Sequence, residues 1–340
     1  MATRWRVLQL VGIDDSRTIT VTYLSQRRER MRFDCLGNVE LSTLVDPGRF
    51  ELLPFLCGPV KGEPIRVQCD VILNVICDPD TNAESLAIAR RIVEQLKVGV
   101  VNHPDRVLAS ARDTVADNLA DLDGAIVPRT VRLQPRSVAD VAKQVAEAGI
   151  DTPFLFRAAG AHGGKGLVLV RSRRDAKDLE QFPFDGRDFY ATEFVDYRSP
   201  DGLYRKYRTL MIGGYSHAKH MIAADSWNIH ARERAEMAKR PELVAEEEKL
   251  LLDGLPDELR LTFNAVHDRL GHDYFGIDYG LDADGRPILF EVNACVRALA
   301  AGATTSAVES HEESTRRIRE DLGFLLASRA TALGPGAAPS

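Results

Sequence analysis

Cysteine is scarce in this sequence, and no cysteine lies in a metal-binding pattern. The five cysteines form no CxxC pair and have no clustered histidines beside them: Cys35, Cys57, Cys69, Cys77 and Cys295. A structural zinc site needs such grouped ligands, so that class of site is not expected. Because the cysteines are scattered and odd in number, we expect buried single thiols in a reducing compartment.

Long apolar runs and an excess of positive charge are also missing. No stretch of about 18 uninterrupted apolar residues occurs, and the N-terminus lacks the apolar run of a secretory signal peptide. Acidic residues outnumber basic ones by 50 to 44, giving a net charge of -6, whereas an extended nucleic-acid-binding face is basic. We therefore expect a cytoplasmic protein with neither nucleic acid nor membrane as partner, although a local basic pocket is compatible with this charge.

The glycine pattern GxGxxG of dinucleotide-binding folds is absent from the first hundred residues. Apolar runs there predict strands over 7–11, 19–24 and 71–76, followed by an amphipathic helix that opens with a capping box formed by Thr81 and Glu84. A short apolar run over 98–101 completes a βαβ unit, which favours a parallel sheet. With 340 residues, the chain is long enough for two or three packed units with a cleft between them.

The middle of the chain predicts a further helix and a glycine-rich hairpin. Ser137 is the expected N-cap of the helix and Gly149 its left-handed C-terminal residue. Short apolar strands over 154–156 and 167–170 flank the glycine-rich loop 158–166. A strand over 189–195 follows it.

The last third predicts two hairpins and three helical stretches. The segment KYRTLMIGGYSHAKHMI is typical of a strand pair with a Gly213-Gly214 turn, and YFGIDYGL with PILFEVNA is typical of another pair around Asp284-Gly285. Residues 231–252 are expected to be helical, with Glu246 to Glu248 on a solvated face. Helices are also expected over 256–270 and around Ile318 to Leu326, where apolar residues recur at helical spacing.

Three oxygen-bearing residues converge at the second of these hairpins. Asp278 lies on one strand, and the partner strand carries Glu291 and Asn293, which share a face because residues two apart on a strand do. Two carboxylates and an amide oxygen suit Mg²⁺ or Mn²⁺ held together with phosphate oxygens. The alternative is that Glu291 and Asn293 are only the polar side of an alternating strand.

The glycine-rich loop is a candidate phosphate flap. It does not match a Walker A loop, since Gly164 and Lys165 are followed by glycine, but its amides can fold over an anion. Arg157, at the end of an apolar strand, strengthens this interpretation because a buried cation is costly without an anion. A plain turn is the alternative for a glycine hairpin.

These segments, in this order, resemble the ATP-grasp superfamily. The similarity covers about residues 70 to 305: VILNVICDPD and VVNHPDRVLASARD at its start, FLFRAAGAHGGKGLVLV at the flap, TEFV at a hinge, and GIDYGL with GRPILFEVNA at the metal end. The last motif is the most specific. The resemblance implies an α/β (α+β) fold with a Rossmann-like pre-ATP-grasp domain over 1–105, a small ATP-grasp subdomain over 106–196, a C-terminal subdomain over 197–330 and a disordered tail over 331–340.

The resemblance also implies roles for individual residues. Asp278, Glu291 and Asn293 would hold one or two Mg²⁺, and Arg208 would bind the γ-phosphate or the developing acylphosphate. ATP would contact the following set: Arg112, Arg157, Gly163, Gly164, Lys165, Glu193, Phe194, Val195 and Lys206. A surface strand residue is the alternative for Lys206. Many members of the superfamily carry lysine where this chain has Arg157, so the phosphate contact here is expected to be a planar fork.

The substrate pocket is expected around the segment HAKHMIAADSWNIH. It supplies hydrogen-bonding groups between the phosphate cation and the metal motif: His220, Trp227, Asn228 and His230. A metal site at His217 and His220 is disfavoured, because HxxH on a strand does not place both nitrogens well. Arg297 is a candidate for clamping a carboxylate or an oxyanion, with a solvent-exposed arginine at a helix start as the alternative.

The resulting hypothesis is an ATP-dependent carboxylate-amine ligase. A carboxylate is activated as an acylphosphate and captured by an amine, with release of ADP and phosphate. The partners are small-molecule or short-peptide acids and amines, and a homodimer is the expected assembly because symmetric dimers are the commonest oligomers. Two alternatives stay open: a phosphotransferase acting on a hydroxyl, and a non-catalytic ATP-binding module.

Overall fold

The computed structural model describes residues 4–23, 31–58, 66–164, 166–172, 174–298 and 308–331. Lys165 lies outside the described residues, as does 332–340 of the expected disordered tail, whereas Thr331 is the last residue of the final helix. In the part of the chain that the structure describes, no helix has the length and apolarity needed to cross a membrane.

The chain mixes helices and strands throughout. The strands are β1 (Trp5–Gly12), β2 (Thr20–Tyr23), β3 (Met31–Asp34), β4 (Phe50–Cys57), β5 (Val71–Asn74), β6 (Gly99–Val101), β7 (Thr130–Leu133), β8 (Phe154–Ala158), β9 (Val168–Val170), β10 (Phe189–Glu193), β11 (Tyr204–Ile212), β12 (Tyr215–Ala224), β13 (Tyr274–Leu281) and β14 (Pro287–Asn293). The α-helices are α1 (Ala83–Leu96), α2 (Pro104–Leu108), α3 (Arg112–Leu119), α4 (Val138–Glu147), α5 (Arg234–Met237), α6 (Pro241–Asp253), α7 (Asp257–Leu270) and α8 (Val308–Thr331).

The first sheet is parallel, in the order β4-β1-β5-β6. The predicted βαβ unit is confirmed, because β5 and β6 pair in parallel and α1 connects them. The central strand β5 is buried at every position, as expected for a strand covered on both faces. The strand β4 was not predicted from the sequence.

The predicted capping box of α1 is wrong. The helix begins at Ala83, and Thr81 does not cap it. The Thr81 hydroxyl donates to Asn82 Oδ1 at 2.9 Å instead. The backbone amides of Ala83 and Glu84 instead donate to the carboxylate of Asp15, each at 3.1 Å. An ionised carboxylate is a stronger acceptor at a helix N-terminus than a hydroxyl. The Asp15 carboxylate comes from the loop after β1, so no pattern in the sequence around α1 could predict this cap.

The second sheet is antiparallel, in the order β7-β10-β8-β9. The β8–β9 pair is the predicted glycine-rich hairpin. The helix α4, which covers this sheet, begins as predicted: the Ser137 hydroxyl accepts a hydrogen bond from the Asp140 amide at 3.2 Å. Gly149 follows the helix with a φ of +71°, also as predicted.

The third sheet is antiparallel, in the order β12-β11-β13-β14. It contains both predicted hairpins. Its core merges with that of the first sheet, because α8 inserts Ile318, Leu322, Leu325 and Leu326 into one cluster with residues of both sheets. The first and third sheets therefore share a core, while the second has its own.

Two expectations for residues 231–252 are wrong. The helix is interrupted, because Pro241 starts α6 and cannot continue a preceding helix. The side chain of Glu247 is not solvated: it is 2% exposed and pairs with both terminal nitrogens of Arg234, at 2.8 and 2.9 Å. Acidic runs usually face solvent, but here the arginine on α5 compensates the buried charge.

Candidate functional site

A cavity of about 700 Å³ opens between the second and third sheets. Fifteen of the predicted site residues line it: Arg112, Arg157, Gly163, Gly164, Glu193, Phe194, Val195, Lys206, Arg208, His220, Trp227, Asn228, His230, Asp278 and Glu291. Asn293 and the exposed Arg297 do not line it. Lys165 lies outside the described residues.

Strand register brings the two carboxylates together. Asp278 on β13 lies directly opposite Glu291 on β14 and, on its other side, opposite Arg208 on β11. Lys206 lies two residues before Arg208 and therefore on the same face. The Asp278 carboxylate, 1% exposed, accepts from Arg208 Nη2 and pairs with Lys206 Nζ, both at 2.7 Å.

Both carboxylates are ionised and already neutralised by cations. Burial on its own would raise the pKa of the Asp278 carboxyl, but the charges of Arg208 and Lys206 outweigh it and hold the pKa well below its ordinary value. For Glu291, burial is likewise offset by Arg112, with which it forms an ion pair, and its pKa is lowered. Arg112 is the first residue of α3.

Arg157 is a buried cation that lacks a full set of partners. Its Nη2 donates to the carbonyl oxygen of Ala161, while its Nε has no partner among the described residues. Burial, reinforced by the charge of Arg112, lowers its pKa to about 10. Two neighbouring guanidinium groups that repel each other and retain a free donor form a site for an anion.

The glycine-rich loop contacts the segment after β5 at one end and the segment after β12 at the other. At its start, the Gly160 amide points at Asp80 Oδ2 at 3.4 Å, and His162 Nε2 lies 2.8 Å from Asp78 Oδ2. At its other end, the backbone of Gly164 touches His230 so closely that a Cβ atom there would lie 1.6 Å from the imidazole Nε2. Residues 160–164 of the loop therefore close over the cavity, and they extend from the Arg157 side to His230.

The resemblance of the sequence implies a nucleotide in this cavity, and Gly164→Ala should then disrupt the closure and weaken its binding at least tenfold, since a Cβ there overlaps His230. A tenfold loss corresponds to about 1.4 kcal/mol. Gly163→Ala is a matched control: its φ of +67° is close to the +69° of Gly164, but nothing lies within 4 Å of its Cβ position. Titration of both variants with ADP separates contact from backbone strain, and equal losses would contradict the proposed contact.

The far end of the cavity is apolar and suits a flat ring. The Phe194 and Trp227 rings meet edge to face at 5.7 Å between centroids. The backbone amides of Glu193 and Phe194 donate to the carbonyls of Arg129 and Pro153. The Val195 amide, in contrast, has no hydrogen-bond partner among the described residues and is available to a ligand.

The histidines of the predicted substrate segment diverge. His220 lines the cavity, and burial holds its pKa well below the ordinary value, so the ring is neutral. His217 lies 2.8 Å from Asp321 on α8 instead. His230 Nε2 lies 2.6 Å from Asn228 Oδ1, which orients both side chains at the cavity wall. His217 and His220 therefore have different surroundings.

Sequence reasoning missed one residue that organises the site. Arg132 on β7 pairs with Asp80 and Asp188 at 2.8 Å and with Asp113 at 3.1 Å. Asp113 neighbours Arg112, so Arg132 ties the cation-bearing end of α3 to two sheets. The partners are far apart along the chain and were brought together only by the fold, so the sequence carried no signal for them.

The side-chain oxygens on β13 and β14 are ligands of the type that Mg²⁺ prefers. Asp278 and Glu291 face each other with hard oxygen ligands, and Asn293 lies two residues beyond Glu291 on the same strand. Each carboxylate is committed to a cation, however, and the described residues contain no group of three or more His, Cys, Asp or Glu side chains close enough to hold a metal. A metal ion would therefore need an accompanying anion that engages the cations.

Comparison with solved structures identifies the fold. No family model matches the sequence, and no curated protein does. The structure is similar to that of an ATP-grasp RimK domain protein from Sphaerobacter thermophilus, with 15% identity, a TM-score of 0.54, and 95% of this chain and 99% of that chain covered. It is similar to the D-alanine-D-alanine ligase from Coxiella burnetii, with 9% identity, a TM-score of 0.56 and 97% of each chain covered. The VanG D-Ala:D-Ser ligase from Enterococcus faecalis gives 12% identity, a TM-score of 0.54, and coverage of 95% and 100%. The expected α/β architecture is confirmed, and it is the ATP-grasp fold.

Proposed function

We propose that this chain, which has the ATP-grasp fold, is an ATP-dependent ligase that joins a carboxylate to an amine. The observation that carries the proposal is the grouping of four cations around two carboxylates in one cavity: Arg112, Arg157, Lys206 and Arg208 with Asp278 and Glu291. The excess positive charge at a closed loop suits a polyphosphate. The ligases among the similar structures add support for this reaction class.

The cavity divides into an apolar and a charged end. We assign the adenine to the apolar end, where Phe194 and Trp227 form one wall and the Val195 amide offers a donor. The phosphates then extend below the glycine-rich loop toward Arg157 and Arg112. In this arrangement the γ-phosphate lies at Lys206 and Arg208, beside the carboxylate pair.

The charged end contains the groups needed to transfer a phosphoryl group. Mg²⁺, when bound with the nucleotide, would neutralise charge on the phosphate oxygens. Asp278 and Glu291 would hold it, whereas Asn293 does not line the cavity. Arg208, which makes two hydrogen bonds to Asp278 in the structure, would turn its guanidinium to the γ-phosphate and the developing acylphosphate once nucleotide and metal are bound, and its charge would lower the barrier there.

The acceptor side of the cavity is lined by His220, Asn228 and His230. His220 is neutral, because burial lowers its pKa. A neutral imidazole can accept a hydrogen bond from the attacking amine and orient it toward the acylphosphate. In this proposal His220 has that role, and Arg297, which is exposed outside the cavity, has no contact with the reacting groups.

Incubation with ATP, Mg²⁺ and pools of amino acids and small acids tests the proposal. The expected result is ADP together with a product lighter by one water than its summed parts, seen by mass spectrometry. A stable phosphorylated product that needs no amine would instead establish the phosphotransferase alternative. Tight ATP binding without ADP release across the whole panel would establish the non-catalytic module.

A further inference from the structure

Arg132 stands at one end of a row of polar side chains that crosses the second sheet. It lies on β7 directly opposite Tyr190 on β10, and Tyr190 lies opposite Arg157 on β8. The Arg132 guanidinium covers the Tyr190 ring, with Cζ 4.8 Å from the ring centroid. Paired residues of neighbouring strands project from the same face of a sheet. Arg132 therefore shares a face with Arg157, which lines the cavity, but does not line the cavity itself.

Three carboxylates surround this one guanidinium group. Asp113 accepts a fork from Nε and Nη2, at 3.1 and 3.2 Å. Asp80 accepts from Nη2 and Asp188 from Nη1, both at 2.8 Å. Burial on its own would lower the pKa of Arg132, but the hydrogen bonds to the three carboxylates outweigh it and raise the pKa. Because the acids outnumber the cation and would repel one another without it, Arg132 holds together three segments that their charges would separate.

The first of these segments carries a cation of the cavity. Asp113 is the second residue of α3, and Arg112 is the first. The dipole of a helix disfavours a positive charge at its N-terminus and favours a negative one, and Ala111 has no side chain with which to cap α3. The fork from Arg132 to Asp113 therefore fixes the turn that directs Arg112 into the cavity, toward Glu291.

The helix α3 also forms part of the cavity wall. Its apolar residues Val115, Ala116 and Leu119 line the cavity together with Arg112. The helix packs against β7, the strand that carries Arg132. A displacement of α3 would therefore move an apolar wall and a cation at the same time.

The other two segments adjoin the start of the glycine-rich loop. The backbone carbonyl of Asp188 accepts a hydrogen bond from the Ala159 amide at 2.9 Å. The Asp80 carboxylate lies 3.4 Å from the Gly160 amide through Oδ2, while its Oδ1 accepts from Arg132. The loop that closes over the cavity thus begins at two residues that Arg132 holds.

We propose that Arg132 is a positioning residue for the binding of the nucleotide phosphates. It acts without touching the nucleotide, because neither Arg132 nor its three carboxylate partners line the cavity. Through Asp113 it places Arg112, and through Asp80 and Asp188 it places the start of the glycine-rich loop. That these groups meet a nucleotide rests on the proposed function. Lysine could neutralise the same carboxylates, but only the planar fork of arginine binds several of them in fixed directions.

Arg132→Lys in the full-length protein tests the fork, because it keeps the charge and loses the geometry. We expect a Tm close to that of the wild type and a Kd for ADP that rises about tenfold or more, measured by isothermal titration calorimetry. Arg187→Lys is the matched control: Arg187 is exposed and pairs with Asp185, and this variant should bind ADP like the wild type. A folded Arg132→Lys variant with the ADP affinity of the wild type would overturn the proposal.

A double-mutant cycle shows whether the effect passes through Arg112. Asp113→Ala removes the carboxylate that Arg132 holds and introduces a good helix former, so it also serves if Arg132→Lys fails to fold. It should weaken ADP binding about fivefold or more in the wild type, and hardly at all in an Arg112→Gln background, where the cation is already missing. A purely structural role of Asp113 would weaken ADP binding equally in both backgrounds, and that result would contradict the proposal.

Amide hydrogen exchange without nucleotide gives a readout that does not depend on the proposed function. Arg132→Lys should speed exchange in α3 and in residues 159–164, because both lose a fixed anchor, and leave α6 unchanged. Exchange in α3 and in the loop at the rate of the wild type would overturn the positioning role. A wild type that binds no ADP would contradict the nucleotide site itself, and the exchange rates would still decide whether Arg132 holds these segments in place.

Discussion

Asp278→Asn is expected to abolish ATP-dependent product formation while leaving the protein folded. The substitution is nearly isosteric, but it removes the charge that orients Arg208 and would hold the metal. Removing one preorganised charged contact from a transition state costs on the order of 10²–10³ in rate, and here two functions depend on one carboxylate. Glu291→Gln should have a loss of the same order. ADP release, measured with a coupled assay, checks both.

The control for this prediction lies in the same hairpin. Asp284→Asn changes an exposed aspartate in the turn between β13 and β14, and it should retain full activity. Circular dichroism and the unfolding midpoint show whether each variant is folded. Full turnover by Asp278→Asn and Glu291→Gln would refute the proposed role of the carboxylate pair.

Local patterns in the sequence were enough to predict most of the site. The turn and the strand alternation assign Asp278 and Glu291 to facing strands of one hairpin, but the two residues lie directly opposite each other because a register shift between Asp278 and Tyr279, which the sequence did not reveal, moves Glu291 into place. The glycine-rich hairpin and the helix cap at Ser137 are equally local. Such features depend on residues that are neighbours in sequence, and the structure confirms them.

What the sequence could not predict depends on residues distant in the chain. Asp15 replaces the expected cap of α1 from a separate loop. Glu247 is buried because Arg234 neutralises it, which a count of acidic residues along α6 cannot reveal. Asn293 follows Glu291 at the correct spacing but does not line the cavity, since alternation predicts a shared face and not a shared cavity.

Mn²⁺ is expected to bind this protein only together with a nucleotide. In the structure the two carboxylates are paired with three cations: Asp278 with Arg208 and Lys206, and Glu291 with Arg112. A free divalent ion would have to displace these cations and would be repelled by them. Unit charges about 4 Å apart near a protein surface interact by about 4 kcal/mol, so this cost is large. Electron paramagnetic resonance of Mn²⁺ should detect no binding at millimolar concentration without nucleotide, and clear binding after ADP is added.

The reason for the coupling is an exchange of partners. The nucleotide brings several negative charges that take up Arg112, Lys206 and Arg208, and this releases Asp278 and Glu291 for the metal. Arg208→Gln should therefore allow Mn²⁺ to bind in the absence of ADP, at least tenfold more tightly than in the wild type. Arg205→Gln is the matched control, because Arg205 lies on the same strand and pairs instead with Asp201 and Glu246. If the wild type binds free Mn²⁺ as tightly as it does with ADP, the ion pairs do not gate the metal site. Because the readout is metal binding and not turnover, this result is independent of the reaction that the enzyme catalyses.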